Sequence, residues 1–256
     1  NLTGTVNCLE AARRHEAGIL FLSTSRVYPY AAINSLAYRK EESRFVLEDQ
    51  QPLPGASARG IAEDFPLDGA RSLYGATKLC SEFLVREYID MYGMPGVINR
   101  CGVITGPWQM GKIDQGVVVL WVARHIYGGR LDYIGFGGTG KQVRDMLHID
   151  DLVRLVLHEA AHLKDLSGAL FNVGGGTEGS ASLCELTELC RERTGNRIPI
   201  GGVPENRPAD VRLYVTDNTQ VTAATGWRPE KDVKAIVADV AAWISEHRDP
   251  LEPILG

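Results

Sequence analysis

Residues 5–15 are rich in helix formers, and they lead into Ile19-Leu-Phe-Leu22. Such a short unbroken apolar run fits a strand buried on both faces. After Ser72, apolar positions recur at helical spacing (Cys80, Leu84, Tyr88, Met91) and Gly93 stands just beyond them. A serine N-cap and a terminal glycine predict a helix between these limits. Val97-Ile98 opens a strand running towards Gly102, and Val143 to His148 reads as another. A helix follows from Asp151 to about Leu163, then a strand from Leu170 to Val173 that ends in three glycines. Strands alternating with helices predict an α/β fold on a parallel sheet. From Leu183 the pattern turns helical, with helices expected at Leu183 to Thr194 and Val233 to His247, forming a smaller α-rich lobe. Pro29 to Pro66 breaks this rhythm with proline, glycine, serine and charge. So long a connection is expected to be functional or to form a subunit contact.

Composition narrows the classes. The chain has 256 residues, 44% hydrophobic and 23% charged, with a net charge of −5. That is globular composition with no electrostatic footprint for nucleic acid. No apolar run approaches the ~18 residues of a membrane span, so a soluble, cytoplasmic protein without a membrane partner is expected. Five scattered cysteines without a C-x-x-C pair argue against a disulfide framework or zinc knuckle.

Two literal motif matches fail on context. Gly135-Phe-Gly-Gly-Thr-Gly140 spells a dinucleotide fingerprint, but a strand-like segment follows it where a helix is required. It is expected to be a turn between strands, and Gln142 after Gly140-Lys141 also spoils a P-loop. His158-Glu-Ala-Ala-His162 spells a zinc motif. At about 100° per residue, Val153, Val156, Leu157, Ala160 and Leu163 form the apolar arc, with both histidines opposite beside Arg154. They should face water, and no metal site is expected.

Tyr74 and Lys78 lie four apart, hence on one face of the helix that Ser72 starts. Ser23-Thr24-Ser25 follows the first apolar strand, at the carboxyl end where open parallel sheets bind ligands. A hydroxyl, a phenol and a cation are thereby brought together for proton transfer. A phenol in water titrates near ~10, and lowering that to about 7 needs ~4 kcal/mol in favour of the phenolate. A neighbouring ammonium and a cationic nicotinamide ring together would provide it.

With these residues the sequence resembles the extended short-chain dehydrogenase/reductase family, specifically its nucleotide-sugar epimerases. Phe21-Leu-Ser-Thr-Ser-Arg-Val-Tyr28 resembles the Ser/Thr strand, Tyr74 and Lys78 the Y-x-x-x-K pair, and Arg144-Asp-Met-Leu-His148-Ile-Asp-Asp151 the R-D-x-x-H-x-x-D segment. Arg207-Pro-Ala-Asp210 and Thr225-Gly-Trp-Arg-Pro229 resemble the substrate-lobe signature. Asp114-Gln-Gly-Val, Gly140-Lys-Gln-Val and Ser182-Leu-Cys-Glu-Leu are most similar to the CDP-paratose 2-epimerase branch. The resemblance implies a Rossmann-like domain over 1–106 and 143–173 and a substrate lobe over 107–142 and 174–256. It implies NAD as cofactor, a nucleotide-diphosphate sugar as substrate, and a homo-oligomer.

By the same resemblance, Thr24 bonds the reacting hydroxyl, Tyr74 acts as base and then acid, and Lys78 holds the nicotinamide ribose. Ser23, Cys101 and Val103 are expected at the cofactor. Arg144, Arg207 and Asp210 are expected at the substrate diphosphate, and Gln109 at the sugar. Departures are visible. The family's G-x-x-G-x-x-G loop and its adenosine-ribose reader are absent, so the first part of the nucleotide-binding sheet is expected to be missing. Val103 stands where many relatives carry Asn. Ser25-Arg26 stand where a 4,6-dehydratase needs its Asp-Glu pair, which disfavours that reaction. A 4-epimerase, a reductase, a decarboxylase and a non-catalytic binding protein of the same fold stay open as alternatives.

Overall fold

In the computed structural model, which describes residues 1–111 and 115–256, the chain opens with α1 (Leu2–Arg14) and β1 (Ile19–Thr24). A 3₁₀ turn at Ser25–Val27 leads to α2 (Tyr30–Asn34) and two small hairpins, β2 (Tyr38–Lys40) with β3 (Phe45–Leu47) and β4 (Ala56–Ser57) with β5 (Gly60–Ile61). Next come α3 (Leu73–Tyr92), β6 (Gly96–Cys101), β7 (Val103–Thr105), α4 (Val117–Tyr127), β8 (Leu131–Ile134), β9 (Val143–His148), α5 (Ile149–Ala161) and β10 (Leu170–Val173). The remainder holds β11 (Ser180–Ser182), α6 (Leu183–Thr194), β12 (Ile200–Val203), β13 (Leu213–Tyr214), α7 (Thr219–Thr225), α8 (Val233–Glu246) and α9 (Arg248–Leu255).

A parallel sheet of order β1-β6-β10 carries the expected α/β architecture, with Thr24 opposite Cys101 and Val173 in register. Alternation along β6 divides its side chains between two layers. Ile98 joins Leu9, Phe21 and Val85 under α1 and α3, whereas Val97 and Cys101 join Leu152, Leu155 and Phe171 under α5. Among the described residues β1 pairs on one side only, with β6. Its Leu22 is 40% exposed.

Helix α3 forms where its caps dictate. The Ser72 hydroxyl accepts from the Gly75 amide at 3.1 Å, and Gly93 takes the left-handed conformation at φ 62° that ends the helix. Gly75 is itself required, because a Cβ there would overlap the Arg26 carbonyl oxygen. The helix thus rests directly on the turn that follows β1.

A second sheet centres on β9, which pairs in parallel with β7 and β13 and antiparallel with β11. Strand β9, from the region expected to be nucleotide-binding, therefore bonds strands on both sides of the sequence boundary at 174. Helices α4, α6, α8 and α9 form the α-rich lobe around Trp121, Leu186, Val240 and Ile244. The glycine stretch 135–140 is a turn between β8 and β9, as its context predicts.

One expectation needs correction, on α5. The segment from Pro29 to Pro66, for its part, is packed into the fold. Ile33, Phe45, Leu47, Ile61 and Phe65 are buried with Val211, Leu213 and Val215 in one core, because its apolar positions find partners far along the chain. On α5 the buried stripe is Asp151, Leu152, Leu155 and Glu159, and of the predicted arc only Val156 and Leu163 pack half-buried beside it. Val153 and Leu157 are exposed, since no described element covers that flank. His162 is exposed as expected, with its ring stacked on that of His158. No described helix is long and apolar enough to cross a membrane.

Candidate active site

Parallel strands β1 and β6 deliver Thr24 and Cys101 to the same carboxyl edge, and α3 lays Tyr74 and Lys78 beside it. Thr24 is nearly buried, and its Oγ1 accepts from the Arg26 amide at 3.2 Å. That bond starts the 3₁₀ turn and leaves the hydroxyl proton available to an acceptor. Tyr74, in the first turn of α3, is 48% exposed. One turn on, half-buried Lys78 places Nζ 2.5 Å from the Leu22 carbonyl oxygen and 4.3 Å from the centre of the Phe21 ring. Burial lowers the Lys78 ammonium from its ordinary range.

Beneath this edge lies a buried polar network absent from the predicted set. The Ser23 hydroxyl donates to Glu82 Oε1 at 2.5 Å, and Arg100 forks onto both Glu82 oxygens at 2.8 to 3.1 Å. Arg100 also donates to the Tyr28 hydroxyl at 3.1 Å, which donates to Asn172 Oδ1 at 2.8 Å. Burial disfavours the Arg100 charge, but the bonds to Glu82 outweigh it and hold the guanidinium ionised. The chain thereby ties β1, α3, β6, β10 and the turn after β1 into one rigid floor. Its only signal in sequence is Glu82, four residues after Lys78 on the same helix face.

Three residues expected at the cofactor or the sugar make other contacts here. Adjacent strand residues point to opposite faces, so the Ser23 hydroxyl is turned into the network, onto Glu82. Cys101 is buried, and burial pushes its thiol up to about 12, leaving it neutral. Gln109 spends its amide on its own loop, accepting from Thr105 Oγ1 at 2.9 Å and donating to the Ile104 carbonyl at 3.1 Å. It is a brace rather than a lining residue.

A cavity of about 380 Å³ brings together Val103, Arg144, Arg207 and Asp210 with Arg26, Arg124, Arg130 and Asp132. Arg144 is committed: it donates to Asp210 Oδ1 and to the Val211 carbonyl, both at 2.7 Å, and to the Val143 carbonyl at 2.8 Å. Burial lowers it to about 10. Among the described residues, Arg26, Arg124 and Arg207 have no carboxylate partner. A second hollow of about 500 Å³, around Arg44, Tyr133 and Glu185, contains none of the predicted residues. Among the described residues no cluster of three metal-ligating side chains exists. Asp114, which carried part of the branch likeness, lies outside the described residues.

The donor set at the β1 edge, a phenol, an ammonium and a hydroxyl on the carboxyl ends of parallel strands, fits the nicotinamide ribose of a dinucleotide. No described glycine turn joins a parallel strand to a helix N-terminus, so the pyrophosphate end finds no counterpart among these residues.

Comparison with known proteins agrees with this geometry. Residues 1–174 match the model of the NAD dependent epimerase/dehydratase family. CDP-paratose 2-epimerase of Salmonella typhi is 30% identical over 249 residues, covering 96% of this chain and 70% of that protein. A dTDP-glucose 4,6-dehydratase of an Actinoplanes species is also 30% identical, over 97% of this chain and 67% of its own. The structure of Thermus thermophilus UDP-glucose 4-epimerase in complex with NAD superimposes with a TM-score of 0.71 at 24% identity, covering 96% of this chain and 70% of that one. The chain belongs to the NAD dependent epimerase/dehydratase family, with the Rossmann-type fold of the extended short-chain dehydrogenases/reductases.

Proposed function

We propose that the chain acts as an NAD-dependent epimerase of a nucleotide-diphosphate sugar, inverting C2 of a CDP-hexose through a transient keto-sugar. The observation that carries this reading is the juxtaposition of Thr24, Tyr74 and Lys78 at one sheet edge, with Ser25-Arg26 beside them. A 4,6-dehydratase needs an acid and a base where these two stand, and neither a hydroxyl nor a guanidinium serves at neutral pH. The chain is 30% identical along nearly its whole length both to the Salmonella typhi 2-epimerase and to a 4,6-dehydratase, so the choice between the two rests on Ser25-Arg26.

Each side chain has a defined task. Thr24 donates its hydroxyl proton to the reacting sugar oxygen and orients it. Tyr74 removes the proton from that oxygen as the C2 hydroxyl becomes a ketone, and returns it on reduction from the other face. Lys78 donates to the ribose hydroxyls of the cofactor. When bound, NAD supplies the hydride acceptor and then the hydride donor at the sugar carbon. Val103, expected at the cofactor, adds no polar group to the cavity it lines, and Arg207 meets the diphosphate with a guanidinium fork suited to anionic oxygens. No net redox change results.

The test is a product analysis on CDP-, UDP- and GDP-hexoses by the protein carrying this chain, with Tyr74→Phe as control. Conversion of a CDP-hexose to its C2 epimer without added reductant, abolished in Tyr74→Phe, is expected. Inversion only at C4, or loss of water from the sugar, would overturn the assignment.

A further inference from the structure

His158-Glu-Ala-Ala-His162 has no task in the proposed reaction, yet its two imidazoles stand together. His158 lies in the last turn of α5 and His162 caps that helix. Their rings stack with centres 4.4 Å apart and planes 26° apart. His162 Nδ1 is 2.9 Å from the His158 carbonyl oxygen. A carbonyl only accepts, so Nδ1 carries the hydrogen and the lone pair stands on Nε2, the tautomer in which a second-shell bond holds a metal-ligating histidine. Among the described residues, no protein group bonds that Nε2 or either ring nitrogen of His158. The surroundings suit a cation. A helix C-terminus carries partial negative charge, and Arg154, one turn before His158, is paired with Asp151 at 3.0 Å and Glu230 at 2.5 Å. The motif's glutamate is withdrawn: Glu159 is fully buried and accepts from Asn99 Nδ2 at 2.7 Å.

We infer that His158 and His162 form a two-imidazole site for a divalent transition-metal ion of the nickel, copper and zinc group. Histidines four apart on a helix reach one ion, with metal–nitrogen bonds of about 2.0–2.1 Å for zinc. The χ2 torsion of an imidazole is soft, so rotation of each ring turns the two Nε2 lone pairs out of the stack and onto the ion. Water fills the remaining positions. With Glu159 turned into the fold, the site binds a metal without the general base that a metal hydrolase needs. Copper(II) is held tightest, following the order of stability for nitrogen ligands. The bound ion fastens the last turn of α5 to its cap. A Cβ at Gly18, ahead of β1, would overlap Leu163, which puts this end of α5 at the amino edge of the sheet, away from Thr24. The site is therefore independent of the nucleotide-sugar reading.

The experiment is calorimetric titration of copper(II), nickel(II) and zinc chlorides into the protein carrying this chain, with the exposed Cys8 and Cys80 replaced by serine so that thiols do not compete. One ion per chain is expected, with copper tightest. Affinity should fall about tenfold or more in His158→Ala and in His162→Ala, each checked for an unchanged melting profile without metal, and stay within twofold in His15→Ala and Glu159→Gln. Frozen-solution EPR of the copper complex should show coupling to two imidazole nitrogens, and to one in each histidine variant. Binding should weaken on acidification, because protons compete for the imidazoles. Parent affinity in both histidine variants, or a copper spectrum without imidazole coupling, would overturn the site. Loss of the ion in Glu159→Gln would return the glutamate to the ligand set and overturn the two-histidine assignment. None of these outcomes bears on the epimerase reading, which is tested by its own products.

Discussion

Ser23 and Thr24 are adjacent hydroxyls with opposite fates, one locked beneath the sheet edge on Glu82 and the other presented above it. Tyr74 completes the upper set, and removing its hydroxyl should cut kcat by about 10²- to 10⁴-fold while leaving CDP affinity intact. Steady-state kinetics with a parallel binding titration check this, and a variant within threefold of wild type would exclude the phenol as proton carrier. Glu159 makes a different prediction. It is fully buried, accepts from Asn99 Nδ2 at 2.7 Å, and has an unpartnered Oε1, as Asn99 has an unpartnered Oδ1. Burial raises its carboxyl from 4.5 to about 7, against the Asn99 bond. The folded protein then holds a proton that the unfolded chain releases between those values. Its stabilisation is full below about 4.5 and is lost as pH rises through about 7, a swing on the order of 3 kcal/mol. The melting temperature should fall from pH 5 to pH 8. Glu159→Gln, which keeps a donor for Asn99 Oδ1, should flatten that slope. An identical slope in the variant would contradict it.

At the scale of elements, the Glu82–Arg100 pair fastens α3 to β6 and, through Ser23, to β1. Both residues are 1–2% exposed, so truncating either leaves a buried charge unpaired. Glu82→Ala should destabilise the fold by about 3–5 kcal/mol in urea unfolding, and a loss below 1 kcal/mol would deny the network its role. Little of this was legible in advance. Periodicity located α3, β1, β6, β9, β10, α6 and α8, because caps and apolar spacing are local. The network joins residues 18, 59, 72 and 144 positions apart, and no local pattern marks such pairs. On α5 the wheel failed for a related reason: it took apolar residues to define the buried side, whereas Asn99 supplies a partner that lets Glu159 go inside. The pair Tyr74 and Lys78 was legible because helical spacing alone puts both on one face. The contacts of Arg144 and Arg26 were not, since each depends on where the 207–211 loop folds back.

The whole molecule presents a parallel sheet whose β1 edge is bare among the described residues, beside exposed Leu22, Val153 and Leu157. Bare edges template further pairing, so the isolated chain should associate with rising concentration, and Leu22→Lys should reduce it. Light scattering decides, and a monodisperse wild type across the range would contradict the expectation. The central claim joins that sheet edge to the cavity: Thr24, Tyr74 and Lys78 invert C2 by oxidation and return of the same hydrogen. Proton NMR of a CDP-hexose incubated in D2O with the protein carrying this chain, supplied with NAD, tests it most directly. The account predicts a changed H1–H2 coupling with the C2 hydrogen retained as protium. Inversion with solvent deuterium at C2, or no inversion although NAD is bound, would contradict it.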